Sequence, residues 1–288
     1  MAPKVVAITG CSTGIGLETA VFLASDKEKR FKVFATMRNL KKKGDLEKAA
    51  GATLNKTLFI WELDVTKEAS KNAFMERINK EEGGVDILIN NAGVGHSNII
   101  DLVTDEELKE VFDTNVFGLI RLTQAVIPGM KAKKSGRIIN ISSMAGVAGL
   151  PFYDIYCSSK FAVEGFSEAL APYLKEFNVW VTLIEPGPVV TKFGENMENA
   201  GGMGLTGVSD NIDKETQELR KKQLSMGWSE RQQSRDIAEI IQKAILSEKP
   251  HLRYQTSEAL VKQACIKFQD PTGDSMVQAV TQMSGWDK

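Results

Sequence analysis

The residues best suited to chemistry are a serine, a tyrosine and a lysine near the middle of the chain: Ser143, Tyr156 and Lys160. Tyr156 and Lys160 are four positions apart in a segment of helical periodicity, so their side chains lie on one face of a helix. A neighbouring ammonium favours the phenolate and lowers a tyrosine pKa that starts at about 10. The pair therefore predicts a proton donor or acceptor that works near neutral pH, and Ser143 can hydrogen-bond a substrate carbonyl.

A tyrosine and a lysine at this spacing also occur on many helix surfaces without any function, so the meaning of the pair depends on what accompanies it. A glycine-rich turn, residues 9–16 (TGCSTGIG), follows the first predicted strand. Glycines let the backbone turn sharply and approach a pyrophosphate, which then faces the N-terminus of the next helix. The alternative interpretation of this turn is an ordinary tight connection between a strand and a helix.

A second group of small and amide residues, 90–93 (Asn-Asn-Ala-Gly), closes the fourth predicted strand. Such residues let a strand end pack closely over an adenosine, although an Asn- and Gly-rich end is also an ordinary polar turn. The glycine turn, this strand end and Ser143 all fall at the carboxyl ends of predicted strands, where open α/β sheets bind their ligands. Their coincidence favours an active site over a set of chance matches.

The elements that must position these residues are short apolar runs alternating with segments of helical periodicity. The runs are mostly continuous, as expected for strands buried on both faces of a parallel sheet. Strands are predicted over 5–9, 32–36, 58–63, 85–90, 137–142 and 179–184, and helices over 14–24, 67–80, 105–131 and 154–177. This alternation predicts an α/β fold with a doubly wound, Rossmann-type parallel sheet and right-handed crossovers.

After Pro186 the character of the sequence changes. A glycine-rich loop is predicted over 194–211, helices over 214–226, 235–247 and 257–268, and a strand over 251–256. We predict a single domain over residues 1–288. Residues 1–190 form its cofactor-binding and catalytic core, and residues 191–288 form a substrate loop and C-terminal helices that cover the substrate.

The composition excludes several other classes of protein. The chain has 36 Lys and Arg against 37 Asp and Glu, and this balance lacks the positive excess that nucleic-acid binding needs. No apolar stretch approaches the roughly 20 residues that span a bilayer, and the N-terminus lacks a signal-peptide core. Three scattered cysteines and two histidines predict neither a disulfide framework nor a metal site. We expect a cytoplasmic protein and leave a peripheral membrane contact open.

The short-chain dehydrogenase/reductases are the family that this sequence resembles, over almost its whole length. The resemblance rests on residues 9–16, 90–93, Asn115, Ser143, Tyr156, Lys160 and Pro186-Gly187. Residues 10–12, 34–38, 156–162, 185–189 and 250–256 further resemble the subgroup of photoreceptor retinol dehydrogenase and 17β-hydroxysteroid dehydrogenase type 1. Residues 26–38 and 189–193 favour the retinol side of that subgroup.

The resemblance implies a role for each matching residue. Tyr156 would be the general acid/base, Lys160 would hold the nicotinamide ribose and lower the tyrosine pKa, and Ser143 would polarise the carbonyl. Asn115 would anchor a water that relays protons from Lys160. The residues implied to bind the cofactor are Gly10, Ser12, Thr13, Gly14, Ile15, Gly16, Arg38, Asp64, Val65, Asn91, Ala92, Gly93, Tyr156, Lys160, Pro186, Gly187, Val189 and Thr191. No metal is implied.

The residues after the second predicted strand bear on the choice of cofactor. A preference for NAD usually places an acidic residue there, which holds the ribose 2′-hydroxyl. This chain instead has Thr36, Met37 and Arg38. A guanidinium suits a 2′-phosphate, and Ser12 can add a hydrogen bond. We therefore predict NADP(H).

We predict an oxidoreductase that interconverts an apolar carbonyl and its alcohol, either retinal/retinol or a 17-keto/17β-hydroxysteroid. The resemblance also implies a homodimer. Residues 194–232 contain no histidine, whereas the steroid enzyme carries one in its substrate loop. Two alternatives stay open: a broad-specificity carbonyl reductase, and a nucleotide-sensing protein that kept the fold without catalysis. The intact set Asn115, Ser143, Tyr156 and Lys160 favours an enzyme.

Overall fold

The computed structural model describes residues 2–193, 212–226 and 231–286. Within these residues a seven-stranded parallel sheet has the order β3-β2-β1-β4-β5-β6-β7. The strands are β1 Lys4–Ile8, β2 Phe31–Met37, β3 Leu58–Glu62, β4 Ile87–Asn90, β5 Gly136–Ile141, β6 Val179–Glu185 and β7 Arg253–Gln255. The predicted doubly wound sheet is confirmed.

Helices cover both faces of the sheet. They are α1 Gly14–Ala24, α2 Gly44–Ala50, α3 Glu68–Glu82, α4 Asp105–Phe112, α5 Leu119–Lys133, α6 Asp154–Lys175, α7 Lys214–Met226, α8 Ser234–Leu246, α9 Glu258–Gln269 and α10 Asp274–Met283. Helices α2 and α10 were not predicted from the sequence. Each is short and buries only two side chains, Leu46 and Ala50 in α2 and Met276 and Val280 in α10.

Alternate residues of each strand point into two different apolar layers, and this explains why the strands are continuous apolar runs. In β1, Val6 and Ile8 belong to the layer that contains residues of α1 and α8. Val5 and Ala7 belong to the opposite layer, with residues of α3 and α5. The sheet is thus held rigidly from both sides, and its strand ends are fixed platforms for functional side chains.

The segment predicted as one helix over 105–131 is helical throughout, but it contains a π-helical turn that was not predicted. The structure divides this segment into α4, a π-helical turn over Asp113–Gly118, and α5. Gly118 packs so tightly that an added Cβ would lie 2.8 Å from a side-chain carbon of Val65. The wider turn directs Asn115 to the loop after β4, where its side chain bonds both the N–H and the carbonyl of Val94. π-Helical turns are rare overall, but those that occur are often found at functional sites. Apolar periodicity in a sequence cannot locate them.

A buried polar network joins the central strands to two helices. Asn90 Nδ2 donates to Asn140 Oδ1 at 2.9 Å and to Thr123 Oγ1 at 3.0 Å. Asn140 Nδ2 donates to Ser167 Oγ at 2.8 Å, and all four residues are buried. The network therefore locks α5 and α6 onto β4 and β5, directly beneath the strand ends that carry the predicted chemistry.

The C-terminal part of the chain completes the sheet through β7, which pairs with β6. The predicted loop 194–211 lies outside the described residues, so the division of the domain near residue 190 stays a prediction. In the described part of the chain, no helix is both long enough and apolar enough to cross a bilayer.

The buried network yields a stability prediction. Replacing Asn140 by alanine leaves the Asn90 amide and the Ser167 hydroxyl without this partner inside the core. We expect Asn140→Ala to lower the free energy of unfolding by about 2–4 kcal/mol in urea titrations. Asn72→Ala, on the exposed face of α3, is the matched control and should change it by less than about 0.5 kcal/mol. Equal effects of the two variants would contradict a stabilising role for the network.

Candidate active site

A cavity of about 730 Å³ lies at the carboxyl edge of the sheet. Its wall includes the residues that follow β1 and β4, the two strands between which the strand order reverses. The predicted site residues in the wall are Gly10, Ser12, Thr13, Gly14, Ile15, Arg38, Asp64, Val65, Asn91, Ala92, Gly93, Ser143, Tyr156, Lys160, Pro186, Gly187, Val189 and Thr191. Residues that follow six strands, together with two residues of helix α6, therefore share one cavity although they are widely separated in the chain. This is the place where open α/β sheets bind ligands.

The glycine turn after β1 needs its glycines for two physical reasons. Gly10 has φ +72° and Gly14 has φ +61°, values in the left-handed region that glycine adopts without strain. A Cβ on Gly16 would lie 2.4 Å from Asn91 Nδ2 and 2.6 Å from the carbonyl oxygen of Gly10. Gly16 thus packs α1 against the turn, and its contact with the cofactor stays a prediction.

Hydrogen bonds fasten this turn to the end of β4. Thr9 Oγ1 accepts from the backbone N–H groups of Asn91 at 3.0 Å and Ala92 at 2.9 Å. Asn91 Nδ2 donates back to the carbonyl oxygens of Thr9 at 2.9 Å and Gly10 at 3.1 Å. The amide-rich strand end and the glycine turn are therefore one structural unit, and residues of both line the cavity.

The segment after β5 and helix α6 bring the predicted catalytic residues together. Lys160 Nζ donates to the carbonyl oxygen of Ile141 at 2.9 Å and lies 5.7 Å from the centre of the Tyr156 ring. Ser143 comes directly after Ile141 and Ser142, and its hydroxyl lies beside the Tyr156 hydroxyl. A hydroxyl donor, a phenol and an ammonium thus face the same space, as the spacing of Tyr156 and Lys160 indicates.

The expected lowering of the Tyr156 pKa is not found. Burial raises the pKa of Tyr156 to about 12, and the hydrogen bond with Ser143 offsets this only in part. Burial also lowers the pKa of Lys160 to about 8, against the opposing effect of the Glu164 carboxylate. Removal of water destabilises both charged forms, and this outweighs the attraction between an ammonium and a phenolate one helical turn apart.

Asn115 lies behind the wall and connects it to the π-helical turn. Its Nδ2 also donates to Ser159 Oγ at 3.0 Å, the residue directly before Lys160. A Cβ on Gly93 would lie 3.3 Å from Asn115 Oδ1 and 3.8 Å from Lys160 Nζ. The amide and the ammonium therefore approach the same glycine. Asn115 shapes the lysine site without lining the cavity itself.

The wall beyond β2 and β3 is polar and basic. Arg38 is exposed, and Asn39 and Lys42 line the cavity beside it. Asp64 is oriented by Thr66, whose backbone N–H and hydroxyl donate to Asp64 Oδ1 at 3.0 and 2.7 Å. Asn39 and Lys42 were not predicted as wall residues, although Lys42 belongs to a basic run shortly after Arg38 that could have indicated a basic wall.

The wall also contains His96, Glu107, Glu110 and Tyr153, which were not predicted from the sequence, and Phe193, whose sequence left open an apolar pocket or core packing. His96 is buried with its Nε2 3.6 Å from Glu107 Oε1, and the Phe193 ring lies 5.8 Å from that of Tyr156. These residues come from loops and a short helix without a shared motif, so no sequence pattern distinguishes them.

The segment after β6 is held from the C-terminal side. Gln232 N donates to the carbonyl oxygen of Pro188 at 2.9 Å, and Val190 N donates to the carbonyl oxygen of Gln232 at 2.9 Å. Gln232 Nε2 donates to the carbonyl oxygen of Thr256 at 2.6 Å. Val189 and its neighbours, predicted to meet the carboxamide of the cofactor, are thus fixed by residues far along the chain.

Comparisons with known proteins agree with this arrangement. The family model described as short chain dehydrogenase matches residues 4–201. Retinol dehydrogenase 8 from Bos taurus is 41% identical over 284 residues, covering 96% of this chain and 89% of the relative. Human 17-beta-hydroxysteroid dehydrogenase type 1 is 39% identical over 282 residues, covering 97% and 85%. A solved short-chain dehydrogenase from Streptomyces avermitilis gives a TM-score of 0.76 at 26% identity and covers 100% of both chains.

The family match covers the glycine turn, the Asn-Asn-Ala-Gly strand end and the segment with Ser143, Tyr156 and Lys160. The two curated relatives extend the similarity through the C-terminal helices. This chain is therefore an oxidoreductase that belongs to the short-chain dehydrogenase family.

Proposed function

We propose that the protein is an NADP(H)-dependent reductase of an apolar carbonyl, with a retinoid such as all-trans-retinal as its substrate class. The observation that carries the proposal is the convergence of Ser143, Tyr156 and Lys160 on one cavity whose wall also contains Arg38. A proton donor, a carbonyl-polarising hydroxyl and a nucleotide-sized cavity are the components that such a reduction needs. A protein that only sensed nucleotides would have no use for the first two.

The residues present fit a dinucleotide. At Gly10 an added Cβ would lie 2.8 Å from Ala92 Cα, and at Gly14 it would lie 3.0 Å from Thr191 Cγ2, so side chains are excluded where a pyrophosphate must approach. Ser12, Thr13 and Ile15 supply backbone N–H groups at the start of α1, where the helix dipole favours negative charge. Asp64 and Val65 would hold the adenine, and Pro186, Gly187, Val189 and Thr191 would hold the nicotinamide end.

The chain's own residues would then carry out the proton transfer. When bound, the reduced nicotinamide supplies the hydride that the carbonyl carbon accepts. The Ser143 hydroxyl donates a hydrogen bond to the carbonyl oxygen, and the Tyr156 phenol donates its proton to that oxygen as negative charge develops there. With a pKa of about 12, Tyr156 is protonated at neutral pH, which is the form a donor requires. Lys160 would hold the ribose hydroxyls and stabilise the phenolate that remains.

The charge of the cavity wall next to β2 favours NADP(H) over NAD(H). Arg38 and Lys42 give this part of the cavity a positive charge, and neither Met37 nor Asn39 supplies a carboxylate for a free 2′-hydroxyl. A 2′-phosphate would be bound there by charge-assisted hydrogen bonds. The basic wall supports the phosphorylated cofactor.

The substrate class is supported by the apolar part of the wall and by the relatives. Val94, Met144, Leu150 and Phe193 line the cavity near the reacting groups. The relatives named as retinol dehydrogenase 8 and as 17-beta-hydroxysteroid dehydrogenase type 1 share similar identity with this chain. Because the chain has no histidine in residues 194–232, we place the retinoid before the steroid. The steroid remains the second candidate.

Replacing Tyr156 by phenylalanine tests the proton donor. The change removes only the hydroxyl, so we expect turnover to fall by about 10²–10⁴-fold while the Kd for NADPH changes by less than about threefold. Tyr173→Phe is the matched control, since Tyr173 is exposed on the same helix outside the cavity, and it should retain full turnover. Unchanged turnover in Tyr156→Phe would exclude the proposed role.

Replacing Arg38 by alanine tests the cofactor preference. Loss of about 1.5–3 kcal/mol of charge-assisted hydrogen bonding should weaken NADPH binding about ten- to hundredfold and leave NADH binding unchanged. Fluorescence titration of both nucleotides measures the two affinities. Arg77→Ala on α3, an exposed arginine away from the cavity, should alter neither. Parallel losses for NADPH and NADH in Arg38→Ala would contradict a contact with the 2′-phosphate.

A direct assay distinguishes the substrate classes. Oxidation of NADPH is followed at about 340 nm with purified protein and either all-trans-retinal or estrone, with NADH as the cofactor control. We expect oxidation with retinal and NADPH. Turnover of estrone alone would replace the retinoid by the steroid. Tight NADPH binding without turnover of either compound would move the proposal to the broader carbonyl reductases.

A further inference from the structure

A cluster of buried charges lies directly beneath Lys160. Arg253 Nε in β7 donates to Glu164 Oε2 at 3.1 Å and lies 3.4 Å from Glu185 Oε1. Glu164 is 6% exposed and Glu185 only 1% exposed. Gln255 Nε2 donates to Glu185 Oε2 at 2.7 Å. Two carboxylates are therefore held out of water on one guanidinium.

The cluster has more negative than positive partners. Arg253 Nη2 also donates to Glu168 Oε2 at 3.1 Å, so three carboxylates surround one arginine, although Glu168 itself is 63% exposed at its side chain. The groups facing Glu164 are Lys160 and Glu168 on its own helix, Glu185 from β6, Arg253 from β7 and the Ser142 hydroxyl from the end of β5. The ammonium of Lys160, one helical turn from Glu164, adds a positive charge that interacts favourably with that carboxylate.

Lys160 and Glu164 are neighbours on one face of α6. They are one helical turn apart, a spacing at which side chains interact. Gly146 packs directly on this turn of α6 and limits the space around the Glu164 stem, because an added Cβ there would lie 3.1 Å from Glu164 Cγ and 3.2 Å from the backbone carbonyl oxygen of Lys160. The hydrogen-bond acceptor of the Lys160 ammonium is the neutral carbonyl of Ile141. A buried ammonium with a neutral acceptor depends on a more distant negative charge to remain protonated.

We propose that Glu164, held on Arg253 beside Glu185, is a positioning residue of the active site whose negative charge keeps Lys160 protonated. The role in turnover rests on the proposed function, whereas the effect on the Lys160 charge does not. The carboxylate acts through the lysine and touches neither the cavity nor its contents. This role would explain why Glu164 and Glu185, two acids without a direct part in the proposed reaction, are buried.

The direction of the effect follows from the charges. Burial and the neighbouring Glu185 raise the pKa of Glu164 to about 7, so this carboxyl is mostly ionised above neutral pH. Burial lowers the pKa of Lys160 to about 8, and the Glu164 charge opposes that decrease. Without the negative charge of Glu164, the Lys160 ammonium would lose its proton at a still lower pH. Tyr156 and the ribose of a bound cofactor would then lack the neighbouring positive charge.

The test is the titration of Lys160 in the free protein. Lysine ¹³Cε labelling resolves the Lys160 signal, which the Lys160→Arg variant identifies by its disappearance. We expect Glu164→Gln to lower the titration midpoint of Lys160 by about one pH unit. Glu168→Gln is the matched control, because it removes an exposed carboxylate from the same arginine, and should shift the midpoint by less than about 0.2 units. An unchanged midpoint in Glu164→Gln would overturn the proposal.

Further measurements distinguish a change in the Lys160 charge from a folding defect and from a failure of the proposed function. Thermal unfolding shows whether Glu164→Gln retains a cooperative transition. If it does not, Glu164→Met takes its place, because it removes the same charge without adding an amide. The titration midpoint of Lys160 in that variant then decides the test. Glu164→Asp keeps the charge and should keep the midpoint of the original chain. The pH profile of NADPH binding should shift together with the Lys160 midpoint. If the unaltered protein does not bind NADPH, the proposed function fails while the lysine titration still decides the inference.

Discussion

The structure of the site depends on the join between β1 and β4. These two strands run side by side, and the chain leaves them on opposite sides of the sheet, so a gap opens where they end. Thr9 and Asn91 close the base of that gap by exchanging hydrogen bonds between side chains and backbone. Because the backbones approach so closely, position 10 and position 16 admit only glycine. The N-terminus of α1 is thereby fixed over the cavity.

The same close packing explains where the polar side chains lie. Asn90, Asn140, Thr123 and Ser167 hydrogen-bond one another inside the core, so the strands β4 and β5 can end in buried polar residues. Directly beyond these ends, Asn91 and Ser143 line the cavity. The change from a buried hydrogen-bonded network to side chains in the cavity wall marks the boundary between scaffold and site.

Most of the fold and many residues of the cavity wall could be predicted from the sequence, because their signals are local. Continuous β-branched runs predict the strands, and the strand ends identify residues such as Gly10, Asn91 and Ser143. The π-helical turn around Asn115 could not be predicted, since one extra residue in a helix leaves apolar periodicity almost unchanged. His96 and Glu107 could not be predicted either, because they meet only through the path of a loop. The predicted place of Gly16 at the pyrophosphate stays a prediction, beside its close contact with Asn91.

The ionisation of Tyr156 and Lys160 shows most clearly where local reasoning ends. Their spacing establishes that a phenol and an ammonium share a helix face, but it does not show how much water folding removes from either. Burial raises one pKa to about 12 and lowers the other to about 8, so each group favours its neutral form more than it does in water. Because burial destabilises the Lys160 ammonium, that ammonium cannot by itself stabilise the Tyr156 phenolate. The carboxylate proposed to support the ammonium, Glu164 on α6, is held by Arg253 from β7 beside Glu185 from β6, and only the folded chain brings these three elements together.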